Sequence, residues 1–372
     1  MSAHAVIPPP HANAFGFLRL TLAVFVLYSH GYVLGGFGQE PLFSATAGGV
    51  ALGPLAVHCF FVISGYLVTE SYLKSQSTLR YLWKRILRIV PAFWVCLVVT
   101  AFLLTPFVWS LDPAPKSTLA ELRPAQFAYV FQNLFHPRAV ISIEGVPGGG
   151  LVYYGGDWNG SLWTLFYEAA CYLMVAAFGV LGVLRHRRLA LTLFIGLLAL
   201  HCAWFHMPQV FPPITGRLFD TPGKRETLHF FAGVAWCIAA PAHGREMSRS
   251  WIAYACVPLL VLSWFSSAHL WLSPIVLAPI IFFLVRHLPF RNWEARLGGD
   301  YSYGVYIYGM PAQQCLAALG LHHFGILVYL VCGLFTAFGF AWLSWHLVEK
   351  PCLRLKNLAW PFGPAGLRQS LS

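Results

Sequence analysis

The chain has 372 residues, 58% of them apolar and only 10% charged, against roughly 25% charged in an ordinary soluble domain. So few charges cannot cover the surface of a soluble protein of this size, and high hydrophobicity excludes a disordered chain. The net charge of +11 would suggest nucleic acid in a soluble protein. In a chain this apolar it is better read as positive loops that set membrane topology, so no nucleic-acid partner is expected.

Taken in chain order, apolar runs long enough to cross a bilayer cover about 15–34, 48–69, 89–108, 161–184, 189–207, 227–241, 251–267, 270–287, 301–320 and 324–347. The expected fold is therefore an all-α membrane protein, a single bundle of about ten transmembrane helices with both termini cytoplasmic. The sixth run is the shortest. With the termini inside, 18 of the 24 Lys and Arg fall on the inner side, and Lys116, Arg123, Arg138, Arg217, Lys224 and Arg225 on the outer side. That asymmetry is the one topology requires. Residues 1–14 are expected to be a disordered tail, 15–352 the membrane domain and 353–372 a cytoplasmic tail. The first run is followed at once by a second, without a small-residue cleavage site, and reads as a retained helix rather than a signal peptide. The nine cysteines show no CxxC spacing, so neither a disulfide framework nor a zinc site is expected from them, and no metal is expected. The long connection between the third and fourth runs carries Gly148-Gly149-Gly150 and Gly155-Gly156-Asp157-Trp158-Asn159-Gly160. It suits a loop shaped over a polar ligand or, equally, a plain connector. No internal repeat is present.

Ionisable groups inside a membrane are expensive, so each one is a candidate for function. In the first run Arg19 and His30 are eleven residues apart, nearly three full turns, which puts both on one helix face about 16 Å apart along the axis. An imidazole near mid-membrane can act as a general base or as a covalent relay; the alternative is a snorkelling arginine and a histidine bonded to a neighbouring helix. His58 in the second run falls near the level of His30. Ser64-Gly65 in the same run reads as a packing pair. Before the third run, Arg80, Lys84, Arg85 and Arg88 form a cationic face suited to phosphate, or to setting topology against anionic lipid. Pro91 suggests a break where an interfacial helix turns into the membrane. Glu168 in the fourth run is a lone intramembrane carboxylate that requires a proton, a partner or a wet cavity. Glu349 closes the last run and reads as a structural partner for the arginine cluster.

Six segments in order resemble the acyltransferase-3 family of bacterial membrane acyltransferases, the group of polysaccharide and lipopolysaccharide O-acetyltransferases. They are the Arg19/His30 pair, Phe60-Phe61-Val62-Ile63-Ser64-Gly65-Tyr66, Lys84-Arg85-Ile86-Leu87-Arg88-Ile89-Val90-Pro91, Ser161 to Glu168, Tyr301-Ser302-Tyr303-Gly304-Val305-Tyr306, and Glu349-Lys350-Pro351. The resemblance spans roughly 15–352. It implies a ten-helix domain in the bacterial cytoplasmic membrane that moves an acyl group, usually acetyl, from acyl-CoA to a hydroxyl of a cell-surface or lipid-linked glycan. His30 and Arg19 are implied to be essential, and Glu168, the third candidate catalytic residue, is expected to help position the acceptor together with the long outer loop. Arg85 and Arg88, with Arg80 and Lys84, are implied to hold acetyl-CoA, and His58, Asn159, Trp163 and Tyr306 are the candidate acceptor contacts. Two positions depart from many members: His58 stands where an acidic residue is common, and Gly309 where a histidine is common. Many members carry a fused hydrolase-like domain, and the short tail after Pro351 resembles the stand-alone type. The rival reading is a carrier or flippase for a lipid-linked sugar, with His30, His58 and Glu168 as a proton relay.

Overall fold

A computed structural model describes residues 13–112, 118–137, 139–146, 157–210, 222–239 and 250–357, with the side chains of 208 and 222–224 left aside. The tails beyond these limits, the glycines at 148–150 and 155–156, and Lys116, Arg138, Arg217, Arg245, Arg249 and Arg368 lie outside the described residues, as does the side chain of Lys224.

Helices form at all ten apolar runs, and no strand occurs among the described residues. They are α1 (Phe15–Leu34), α2 (Leu52–Leu73), α3 (Thr78–Ser110), α4 (Trp163–Val180), α5 (Arg187–His206), α6 (Pro222–Ala239), α7 (Ser250–Ser263), α8 (His269–His287), α9 (Ser302–Ala318) and α10 (Ile326–Arg354). Seven of these are long and apolar enough to span a bilayer: α1 to α5, α8 and α10, with α4 counted from Gly160. The chain is thus an all-helical, multi-pass membrane protein. The shortest of the ten is not the sixth run but the seventh, with 14 residues. Helix α5 is the outlier in the packing: only 6% of its apolar window is buried, and Leu193, Ile195 and Leu200 are exposed along it. An apolar surface of that kind is stable only against lipid.

The break expected at Pro91 does not occur. Helix α3 starts at Thr78 after the N-cap Ser77, whose hydroxyl accepts from the Arg80 N–H at 3.2 Å, and continues as α-helix through Pro91 to Val99. In lipid, losing one N–H costs a single backbone bond, whereas opening the helix would strand several polar groups. Further along, Thr100–Leu104 widens into a π turn. The carbonyls freed there are taken by other donors: Thr105 Oγ1 donates to Thr100 O at 2.7 Å and Gln126 Nε2 to Ala101 O at 2.8 Å.

Helices α2 and α6 lie side by side and run in the same direction, since His58 meets His229 and, one turn further along both, Val62 meets Gly233. Their backbones touch. A Cβ on Gly65 would fall 1.9 Å from Phe230 O, and one on Gly233 would fall 2.0 Å from Val62 O. The packing expected of Ser64-Gly65 therefore resides in the glycine. Helix α9 is buried along nearly its whole length. It is tied to α1 by Gln313 Nε2 donating to Leu27 O at 3.0 Å, and to the strap before α4 by Gln314 Nε2 donating to Asp157 O at 2.9 Å. Helices α1, α2, α4 and α9 thereby become the fixed frame of the polar interior.

Candidate active site

Two cavities open inside this frame. The first, of about 140 Å³, is lined by Arg19 from α1, Ser64 from α2, Arg85 and Arg88 from α3, and Glu168 and Tyr172 from α4. The second, of about 370 Å³, is lined by His30 from α1, His58 from α2, Trp163 from α4, Glu226 from α6, Trp264 and His269. Val57 and Tyr306 line both, so they form the septum between an arginine cavity and a histidine cavity. The Tyr306 hydroxyl is fixed by Thr164 Oγ1 at 2.7 Å and Ser161 O at 3.1 Å.

The eleven-residue spacing on α1 performs as the helix period requires: Arg19 faces one cavity and His30 the other. His30 is half-buried and has no hydrogen-bond partner among the described residues, which leaves both ring nitrogens available. Among the described residues no hydrogen bond joins His30 to a neighbouring helix.

The arginine cavity has a closed network of charge at its floor. Arg19 Nη2 reaches Glu294 Oε1 at 2.5 Å and Asp300 Oδ2 at 3.0 Å. Arg88 pairs with the same Asp300 oxygen and with Glu349 Oε2 at 3.4 Å. Glu349 thus takes the structural role expected of it, at the end of a second π turn, Trp345–Glu349. Burial by itself would raise the Asp300 carboxyl, but the two guanidiniums, with the Ser302 hydroxyl and N–H, hold it below the usual carboxylate range. Arg85 is differently placed. Its Nη2 donates only to Ser71 Oγ at 3.3 Å, its guanidinium carbon stands 5.9 Å from the Tyr172 ring centroid, and its buried Nε has no partner among the described residues. A guanidinium with donors left over is the form in which arginine recognises phosphate.

The remaining expected residues are distributed unevenly. Glu168, expected to help position an acceptor from the side of the long loop, instead lines the arginine cavity, where it accepts from the Tyr172 hydroxyl and from Ser64 Oγ at 3.4 Å. Arg80 and Lys84 line neither cavity; Arg80 donates to Gln76 Oε1, and Lys84 Nζ lies 3.4 Å from Ser75 Oγ. His58, Trp163 and Tyr306 do line the histidine cavity. Asn159 does not, because its Nδ2 is committed to Ile307 O at 2.8 Å and stitches the strap to α9.

Asp300, Glu294, Glu226, His229, Arg225 and His269 were not singled out from the sequence. Glu226 and His229 carried a signal, since a carboxylate and an imidazole three apart share a helix face. Asp300 and Glu294 lie in a polar connection where an isolated acid is ordinary.

Comparison with known proteins fixes the class. An acyltransferase domain model of this type matches residues 13–346. The chain belongs to the acyltransferase-3 family. Among its relatives, an O-acetyl transferase of Shigella phage Sf6 is 27% identical over 352 residues, covering 91% of this chain and 95% of the relative. Nodulation protein 10 of Rhizobium leguminosarum bv. viciae is 28% identical over 374 residues, covering 93% and 95%. No solved structure matches. As a member of the acyltransferase-3 family the chain is a membrane-embedded O-acyltransferase. Its reaction needs an acyl donor and a hydroxyl-bearing acceptor.

Proposed function

We propose that the protein transfers an acyl group, in first place acetyl, from acyl-CoA on the cytoplasmic side of the bacterial inner membrane to a hydroxyl of a cell-surface or lipid-linked glycan on the other side. The observation that carries this reading is the pair of cavities at the two ends of one face of α1, sharing Val57 and Tyr306 as their common wall. The bilayer imposes the logic. A polyphosphate donor cannot cross hydrocarbon and a glycan cannot enter from the cytoplasm, but two half-channels let donor and acceptor meet at mid-depth.

In this account the donor's phosphates and adenosine remain at the arginine end. Arg85 has uncommitted donors for an anion, and the Arg19–Asp300–Arg88 network keeps the neighbouring guanidiniums in place. The pantetheine arm then passes inward along the face of α1, whose rise from Arg19 to His30 is about 16 Å, comparable with the arm's own length. That leads the thioester past Glu168 to the septum. The excess of Lys and Arg on one side of the bundle supports the assignment of that end to the cytoplasm.

From the histidine cavity, His30 takes the proton of the acceptor hydroxyl as its oxygen attacks the thioester carbonyl. The tetrahedral intermediate collapses with cleavage of the C–S bond, and the thiolate of coenzyme A leaves and is protonated by the imidazolium. Protons and electrons balance without any further reactant. The aromatic walls given by Trp163 and Trp264 suit the apolar face of a sugar ring, and polar groups between them suit its hydroxyls. Tyr306, bonded to α4 on one side and facing both cavities, separates donor from acceptor until both are present.

The test is to incubate purified protein with labelled acetyl-CoA and glycan acceptor, measure free thiol, and compare surface glycans by mass spectrometry in cells with and without the gene. The account expects acceptor-dependent thiol release and loss of an O-acyl mass from the glycans. Acyl-CoA left intact in the presence of acceptor, with unchanged glycans, would contradict it and favour a carrier.

A further inference from the structure

One cluster in the histidine cavity is not used by the transfer chemistry. Glu226 and His229 are three residues apart on α6 and face His58 on α2. His58 Nε2 lies 3.2 Å from Glu226 Oε1, and donor atoms of all three residues lie within 4.8 Å of one another. The carboxylate is 5% exposed, and its second oxygen, Oε2, is buried without a hydrogen-bond partner among the described residues. An orphaned carboxylate oxygen in a membrane interior is costly, and a cation is the partner that would relieve it.

The surroundings are those of a metal ligand shell. His229 Nδ1 contacts the Arg225 carbonyl at 2.9 Å. A carbonyl can only accept, so Nδ1 carries the proton and Nε2 keeps its lone pair, which now faces Ser273 Oγ at 2.8 Å. A ligating histidine is commonly oriented in this way, with its other N–H held by a backbone carbonyl. The close backbone contact of α2 and α6 through Gly65 and Gly233 fixes the spacing of the histidines. Their rings are stacked, 4.0 Å apart and 7° from parallel, so one must turn before both can point at a single ion. His58 is the free one: its only polar contact among the described residues is Glu226, and it is 20% exposed to the cavity.

We infer that His58, Glu226 and His229 form a binding site for a divalent cation of the zinc class, set in the wall of the histidine cavity. Two imidazoles and a carboxylate are a donor set that zinc accepts, leaving one position for a further oxygen. His58 and Glu226 line the cavity, so that position opens towards it, where an acceptor hydroxyl or an anionic substituent could enter. The site is separate from His30 and from the acyl-transfer reading, since it concerns what the protein holds rather than what it catalyses. The sequence expectation of no metal followed from cysteine spacing, which could not reveal ligands drawn from two distant helices.

The experiment uses the full chain, purified in detergent with a tag free of histidine, stripped with chelator and equilibrated with Zn²⁺. Metal content is measured by atomic spectrometry on wild type, E226Q and H58A, each first shown to be monodisperse. The inference expects about one tightly held ion per chain in wild type and a fall of at least about tenfold in both variants. Co²⁺ in place of Zn²⁺ should give a tetrahedral visible spectrum that both variants lose. Wild-type protein that takes up no Zn²⁺ would overturn the inference, and so would uptake undiminished in E226Q and H58A, which would assign the metal to other histidines such as the adjacent His322 and His323. If the two variants misfold, an H229Q protein read by the same cobalt spectrum decides the matter in the same two ways.

Discussion

Arg19 and Asp300 meet at 3.0 Å, and the oxygen that joins them is also the one that receives Arg88. One carboxylate therefore holds two guanidiniums side by side at the edge of the arginine cavity. Without it, two positive charges would face each other in a poorly solvated site.

Asp300→Asn is expected to destabilise the protein by about 3 kcal/mol, the usual scale for removing one partner of a buried ion pair, and to raise the KM for acyl-CoA. Thermal unfolding in detergent and donor kinetics measure the two effects. The acid dependence follows from the sign of the shift. Asp300 is held below its unfolded value, so its contribution is complete above about pH 4. It is lost only as the pH falls further, through the depressed folded value. Lowering the pH from 7 to 5 should leave this part of the stability intact.

Arg85→Ala and Arg88→Ala should separate cleanly. Arg85 donates only to Ser71 among the described residues, so its loss is expected to raise donor KM by roughly tenfold, as for a charge-assisted contact to phosphate, with little change in melting temperature. Arg88 is locked to Asp300 and Glu349, so its loss should lower the melting temperature as well. Initial-rate kinetics alongside thermal scans would check both. An unchanged donor KM in Arg85→Ala would make this cluster a topology determinant alone.

Gly65→Ala should be among the most damaging conservative changes. The new methyl would lie 1.9 Å from a backbone oxygen of α6, which no side-chain rotation relieves. Overpacking of this kind costs about 1–3 kcal/mol or more. The measurement is the yield and melting temperature of monodisperse protein. Gly196, by contrast, has nothing within 4 Å of the place a methyl would occupy, and Gly196→Ala should be neutral or slightly stabilising through helix propensity.

Tyr306→Phe removes the hydroxyl bonded to Thr164 and Ser161 and is expected to cost about 1 kcal/mol of stability while keeping most of the activity. Tyr306→Ala removes the ring from the septum. It should open one cavity to the other and let water compete with the acceptor, seen as thiol release that no longer requires glycan.

Much of this was legible in the sequence for a definite physical reason. A bilayer demands long apolar helices, and such runs are visible without a partner, so every one of the ten produced a helix. The Arg19/His30 register was equally legible, because it depends only on the helix period. What depends on contact between helices was not. The cavity to which Glu168 belongs is decided by its neighbours Ser64 and Tyr172, not by its depth along α4. Asn159 reads as a ligand contact from its sequence, whereas in the structure its Nδ2 donates to Ile307 O. The Asp300 hub joins three segments far apart in the chain, and no local pattern announces it. Pro91 misled because a rule learned in water, that proline ends a helix, weakens where an open helix has no solvent to turn to.

The central claim is that His30, in the wall of the histidine cavity, is the transfer base, and the most direct measurement is acceptor-dependent thiol release from labelled acetyl-CoA by His30→Ala protein. The account predicts a fall of at least about 10²-fold, the lower end of what general-base catalysis contributes, in protein that melts like wild type and still binds donor. Transfer within a few-fold of wild type would contradict it.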